Sequence, residues 1–583
     1  MKLLKRAPSV GYVDSHLWVP KSIVNEEGVK SALTFELHDK EEIRYIVLYE
    51  ETDSHLIVPR SMWDPETFNI PFIDCRPQTY KRTNIKSKIK LDHKRGPNGS
   101  IIPTGKTTQK DSLAALLLSK GGTLQLKCGD GKTVVALELA TKLQVPTLVA
   151  VDNTHLLHQW MEAVNDLLIV PGGVGLIQSQ TRDWNKSFVL ATYHTLANWS
   201  DTMPEEVRRH FGLVIWDEGH HVSAPVFSKS AYLFYGMRLA LTATPFRSDG
   251  AHVICQYHVG PVIFKNVKQE NPPAIYFKWT GLSLDTEDVS VGRKVNDING
   301  DLHLGKLAGH FGKWRKRLTE AVLPEVQAAI NAGRKVLVLS NSVDEVINLM
   351  TLWTVGDKDA FLYSDIPYPT KEEIGVEHDP RPMNKKELVR TTRLIREIQK
   401  NLSINTSLSK TKRKTFFNKI NELKIRLEQH TIHKKLESVF KKRQREFLKE
   451  LLLQPSTAGL FTYGVDPVLR VKMLKERKVI FAIMKYGKEG LDDKDLDTII
   501  MCEPVSDKNI IQQIMGRPRD KKNATLTVLE DNVGPLLAQC MKFRKHLRNW
   551  PVDEGGPFKY DLLGHPATFR RRSWRQTNPP MLR

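Results

Sequence analysis

The sequence predicts an α/β protein built on doubly wound parallel sheets. Three observations carry that prediction. Short apolar runs, each ending in polar residues and followed by a helical pattern, recur along the chain. One of them, "GTLQLKCGDGKTVVALELA", passes from strand to helix through a glycine-rich loop ending in Lys-Thr. Another, "FGLVIWDEGHHVSA", buries four residues and then presents two adjacent carboxylates. In a parallel sheet such strand ends gather at one edge, where ligands bind.

At 583 residues the chain can form several domains, each with its own core. Residues 1–100 contain "ALTFELHD", "EIRYIVLYEE" and "SHLIVPRSMW", which alternate as strands and predict a small β-containing accessory domain. No run of 18 apolar residues occurs, and "MKLLKRAPSV" lacks the apolar core of a leader, so neither a membrane span nor a signal peptide is expected. The five cysteines form no CxxC pair and support neither disulfides nor zinc. The expected compartment is the cytoplasm, or the nucleus of a eukaryote, or the host cytoplasm for a viral protein. The net charge of +21 points toward a polyanionic partner, with an incidentally basic surface as the plainer reading.

Two GKT triplets lie 26 residues apart, and only one has the setting that phosphate binding requires. The first, in "PTGKT" at Pro103–Thr107, follows a polar, turn-rich stretch with no strand to feed it. It reads as a linker into a helix. The second is fed by an apolar strand and opens an amphipathic helix, so backbone N–H groups and the helix dipole converge on one point. Cys128, Gly129, Asp130, Gly131, Lys132 and Thr133 are therefore the expected nucleotide loop. Downstream, "PTLVAVDNTHLLHQW" and "FVLATYHTL" are further strand–helix units. "RLALTATPFRSDG" ends a strand on Thr242-Ala243-Thr244. The second half repeats the scheme with "GRKVLVLSNSVDEVINLM", "KVIFAIMKYGKEGLDDKDLDTIIMCEP" and "NIIQQIMGRPRD".

In this order the segments resemble the motif series of superfamily 2 helicases, DEAH-like, and within them the XPB-like repair helicases and UvsW-type phage helicases. The resemblance spans Gln109 to Arg519. It implies two tandem RecA-like domains, ATP with Mg²⁺ as cofactors, and nucleic acid as partner, DNA before RNA. Lys132 would neutralise the β- and γ-phosphates, Thr133 and Asp217 would hold Mg²⁺, and Glu218 would orient and deprotonate the attacking water. Gln109, 23 residues before Lys132, resembles the glutamine that reads the adenine edge; a solvated helix-start glutamine is the plainer reading. His220, Thr242 and Thr244 would couple nucleotide state to strand grip. "KEGLD", with Gly490 and Asp492, resembles motif V. Gln513 and Arg517 match motif VI, but its last arginine should stand at position 520, which is Asp520; Arg519 is one place early. Either arginine could be the finger that reaches the γ-phosphate.

The expected domains are 1–100, an accessory domain; 101–270, the first RecA-like domain; 271–320, a linker; 321–555, the second RecA-like domain; and 556–583, a basic tail. The second domain carries a helical insertion at 367–453. Within it, Lys371–Leu452 holds 22 Lys+Arg against 11 Asp+Glu. That segment reads equally as a solvated hairpin and as a phosphate-gripping arm. An RNA helicase and a nucleic-acid-binding scaffold with an inactive motor are the competing functions; the scaffold is disfavoured by the presence of Lys132, Asp217 and Glu218. The sequence sets no oligomeric state, and a monomer is compatible with it.

Overall fold

A strand of 10 residues, Ala274–Ser283, follows the last strand of the first sheet and belongs to the second, where it pairs in parallel with Thr525–Asn532. Within the region expected as a linker, 271–320, residues 274–283 are thus part of the second sheet and 304–313 and 315–320 are helical, while 284–303 lie outside the described residues. Its alternating apolar side chains, Ile275 and Phe277, are buried in that core. The computed structural model describes residues 7–39, 42–95, 101–119, 121–127, 129–243, 252–283, 304–357, 360–376, 379–404, 409–488, 491, 493–519 and 521–566.

The first motor domain is an eight-stranded sheet, parallel except for the short edge strand Thr181–Arg182. Strand Gly122–Leu126 lies between Met237–Thr242 and Val262–Asn266. Leu213–Asp217 lies between Thr147–Val151 and Met237–Thr242. The strands read as continuous apolar runs because helices cover both faces. All five residues of Leu213–Asp217 are buried. The order brings the ends of Gly122–Leu126, Leu213–Asp217 and Met237–Thr242 to one edge.

The second motor domain is a seven-stranded, all-parallel sheet, with Val336–Ser340 between Val479–Ile483 and Thr498–Met501. Its far edge is Asp561–Leu563, so the segment expected as a tail from 556 begins as a strand. The Arg-rich end, 569–583, lies outside the described residues. Both sheets are of the RecA-like type. They meet through helix Thr154–Leu167 and helix Pro467–Glu476, where Lys475 and Glu162 pair at 3.7 Å. The insertion forms two helices, Lys385–Ile404 and Lys410–Leu453.

The N-terminal sheet has five strands, including Gly11–Val13 and His16–Pro20, which the sequence pattern did not single out. It docks at the sheet end opposite the GKT loop. Arg60 donates to the carbonyls of Tyr235 and Gly236, each at 2.7 Å, and the fully buried Arg238 donates to Ser15 O at 2.7 Å. The boundary at 100 also moves. Lys86–Ser87 pairs with Leu168–Ile169, and Ile85 is buried in the first motor core.

Candidate nucleotide site between the two motor domains

The GKT loop owes its shape to its glycines. Gly129 and Gly131 have φ of 87° and 89°, a region that favours glycine. Gly131 caps helix Lys132–Leu143 with no side-chain bond to the first-turn N–H groups. Those donors are the ones a phosphate takes up. Lys132 Nζ donates to Leu126 O at 3.3 Å, back across the mouth of the loop. Thr133 follows in the first turn, half-buried. Cys128 lies outside the described residues.

Neighbouring chains close on both glycines. A Cβ at Gly131 would stand 2.3 Å from Gln109 Nε2. Gln109 uses both ends of its carboxamide: Oε1 accepts from Asp92 N at 2.7 Å, and Nε2 donates to Asp130 O at 3.2 Å. Gln109 therefore braces the loop in this structure. A Cβ at Gly129 would stand 2.8 Å from Arg519 Cγ, which belongs to the second motor domain. Arg517 donates to Leu491 O at 2.7 Å, next to the motif V segment. Gln513 is buried in helix Lys508–Met515. Gly490, Asp492 and Thr244 lie outside the described residues.

The paired carboxylates occupy the end of Leu213–Asp217. Asp217 Oδ2 accepts from the Trp160 indole at 2.8 Å, and its carbonyl accepts from the Tyr193 hydroxyl at 3.0 Å. Burial, and then the Glu218 charge, push the Asp217 carboxyl up to about 6, against the Trp160 bond and the Lys132 charge that lower it. A carboxylate held this way gains from a cation placed beside it. Glu218 Oε2 lies 3.6 Å from His220 Nδ1, and His220 lies 3.5 Å from the Thr242 hydroxyl. Two of the expected coupling residues, His220 and Thr242, therefore form a line with the Glu218 carboxylate to the Thr242 strand end. Gly219 is needed there, since a Cβ would stand 2.6 Å from that of Ala240.

Three of the six non-glycine residues with left-handed φ among the described residues touch this site: Asp92 at 60°, Glu218 at 49° and Arg519 at 49°. Each costs about 1–3 kcal/mol, and such strain concentrates at functional positions. Trp160, Tyr193 and Asp92 were not singled out by sequence reasoning. An aromatic on an amphipathic helix reads as core, and only "LD" before "HK" hinted at a turn for Asp92. Glycine cradle, uncapped helix and buried carboxylate fit a magnesium-bound nucleoside triphosphate.

Two RecA-like domains thus close on one such loop. Residues 84–247 match the family model described as type III restriction enzyme, res subunit. A DNA 3′-5′ translocase XPB2 of Sulfurisphaera tokodaii is 36% identical over 164 residues, 28% of this chain and 36% of that protein. A protein of Acanthamoeba polyphaga mimivirus, provisionally named ATP-dependent RNA helicase L396, is 27% identical over 278 residues, 46% of this chain and 50% of that protein. A DNA 3′-5′ helicase XPB of Kineococcus radiotolerans is 32% identical over 134 residues, 22% of this chain and 24% of that protein. The chain thus spans half or less of the length of each of these relatives. Over these residues the chain is similar to XPB-like and viral helicases. No helix among the described residues is long and apolar enough to cross a membrane.

Proposed function

We propose that this chain hydrolyses ATP between its two motor domains and uses the cycle to translocate along, or separate, the strands of DNA. The observation that supports the reading is the approach of Arg519, from one domain, to Gly129 in the GKT loop of the other. Lys132 and the first-turn N–H groups bind the phosphates, and Arg519 meets charge that develops on the transferring phosphoryl group. Glu218 accepts the proton of the attacking water at a carboxylate oxygen. Thr133 and Asp217 would hold Mg²⁺, which would supply neutralisation of the phosphate charge. Glu218, His220 and Thr242 relay the state of the site to the strand end beyond.

DNA is favoured because the XPB2 and XPB relatives are named for DNA, and the excess of cations suits a phosphate backbone. An RNA-directed motor is the second reading, favoured by the mimivirus relative, whose match is the longest of the three. ATPase stimulation by single-stranded DNA, duplex DNA, a fork, a four-way junction and RNA decides between them. Stimulation by DNA substrates is expected. Stimulation by RNA alone would favour the second reading, and no ATPase under any condition would remove the motor function.

A further inference from the structure

Helix Lys410–Leu453 has 44 residues and is about 66 Å long at 1.5 Å per residue. Its C-terminal half has two unlike faces. One packs against the second motor domain through Leu448 and Leu451, with Phe447 against Tyr363, and against the start of the insertion with Phe440 against Tyr368. Arg443 belongs to this side: it donates to Pro367 O at 3.0 Å and pairs with Glu373.

The other face carries Lys434, Lys435, Lys441, Lys442, Arg445 and Lys449, all exposed. At 3.6 residues per turn these six fall within a sector of about 120° and run for about 22 Å. Lys424, also exposed, extends the same line to about 37 Å. Carboxylates offset part of this charge, at three of the six cations. Glu437 pairs with Lys434 at 3.2 Å and Lys441 at 2.8 Å, Glu446 pairs with Lys442 at 3.8 Å, and Glu450 falls outside the sector. Lys441, Arg445 and Lys449 follow one another at four-residue spacing, an arrangement in which like charges destabilise a helix. A self-repelling line on an exposed face is matched by an array of anions with a repeat of about 3.4 Å, such as one nucleic-acid strand.

The ridge also ends in the right place. After Leu453 the chain enters edge strand Ala458–Phe461, and the Phe461 ring lies 6.3 Å from that of His155 in the first motor domain. The helix therefore ends beside the edge strand whose Phe461 meets the first motor domain.

We propose that this ridge is a second nucleic-acid contact, which holds the phosphate backbone of a duplex outside the cleft. The proposal rests on the reading of the motor as acting on nucleic acid. The test replaces Lys434, Lys435, Lys441, Lys442, Arg445 and Lys449 together by Gln in the full chain, with a parallel variant in which the five lysines become Arg. Binding to a fluorescent DNA duplex longer than the ridge is titrated across salt concentrations. The Gln variant is expected to flatten the slope of log affinity against log salt by about three to five, because each phosphate no longer neutralised takes about 0.9 from that slope. The Arg variant is expected to keep the wild-type slope, and both should keep wild-type ATPase without nucleic acid and the wild-type circular dichroism spectrum. Loss of affinity should be larger for duplex and fork than for a short single strand. A wild-type slope in the folded Gln variant overturns the proposal, as does equal loss in the Arg variant, which would mean that shape and not charge was disturbed. If the wild-type protein binds no nucleic acid, the motor reading falls along with the ridge.

Discussion

Arg519 of the second motor domain packs on Gly129 of the first, with only 2.8 Å between its Cγ and the point where a side chain at Gly129 would begin. The contact needs two backbones in left-handed conformations, Gly129 at φ 87° and Arg519 at φ 49°. Arg517, the residue that fits the motif spacing, is instead engaged with Leu491 O. Arg519→Ala is therefore expected to lower stimulated kcat by about a thousandfold or more while nucleotide affinity changes only a few-fold, as for an arginine acting in the transition state. Arg517→Ala should cost less, through displacement of the Leu491 segment. Single-turnover hydrolysis with nucleotide-binding titrations reads both. A larger loss from Arg517→Ala than from Arg519→Ala would reverse the assignment.

Gln109 makes a different prediction from the one its position suggested. Its carboxamide is engaged at both ends by Asp92 N and Asp130 O. A brace of that kind should serve every nucleoside triphosphate alike. Gln109→Ala is expected to raise KM for ATP and for GTP together, by about tenfold, the equivalent of one or two hydrogen bonds. A loss confined to ATP would return Gln109 to reading the adenine.

The place of the candidate site was legible in the sequence because it sits at strand ends. Leu213–Asp217 and Gly122–Leu126 are apolar runs that must be buried, so their polar termini must face a ligand edge. What was not legible came from elements joined across long separations. Ala274–Ser283 looked like linker because its partners, Thr525–Asn532 and Asp561–Leu563, lie more than 240 residues downstream. The strands Gly11–Val13 and His16–Pro20 are too short for a period of two to show. Trp160 is spaced as a core residue, and nothing local reveals that its indole meets a carboxylate 57 residues away.

The two GKT triplets can be separated directly. Lys132 lies at the start of the loop helix, whereas Lys106 pairs with Glu270 at 2.9 Å on a partly exposed surface. Lys132→Ala should lower turnover by about a hundredfold or more, on the scale of removing a charge-stabilising donor. Lys106→Ala should leave turnover within about twofold and change stability by less than about 1 kcal/mol, as exposed pairs do. Steady-state ATPase on the two variants is the check, and activity surviving in Lys132→Ala but abolished in Lys106→Ala would mean that the first triplet is the phosphate loop.

The second motor domain holds a buried charge cluster whose protonation makes a prediction about stability. Arg317 pairs with Glu345 and, at 2.8 Å, with Asp531, and all three are fully buried. Glu503 closes the cluster, accepting from Ser340 Oγ at 3.2 Å and from Asn341 N at 3.1 Å. Burial, and then the Glu345 charge, hold the Glu503 carboxyl well above its ordinary value of 4.5, while Arg317 keeps Glu345 below it. Glu503 thus keeps its proton in the folded state and releases it on unfolding. The unfolded state then binds fewer protons, so this group lowers stability as pH rises from 4.5 toward the raised value, by about 1.4 kcal/mol per unit of pH. Gln has the shape of the protonated acid and no proton to lose. Glu503→Gln should therefore match the wild type near pH 4.5 and become progressively more stable than it toward alkaline pH. Glu345→Gln should do the opposite and cost about 3–5 kcal/mol, because it leaves Arg317 short of a buried partner. Urea unfolding of both variants across the pH range is the measurement. A Glu503→Gln curve that runs parallel to wild type at every pH would mean that Glu503 is ionised in the folded protein, and the proton assigned to the cluster would have to be withdrawn.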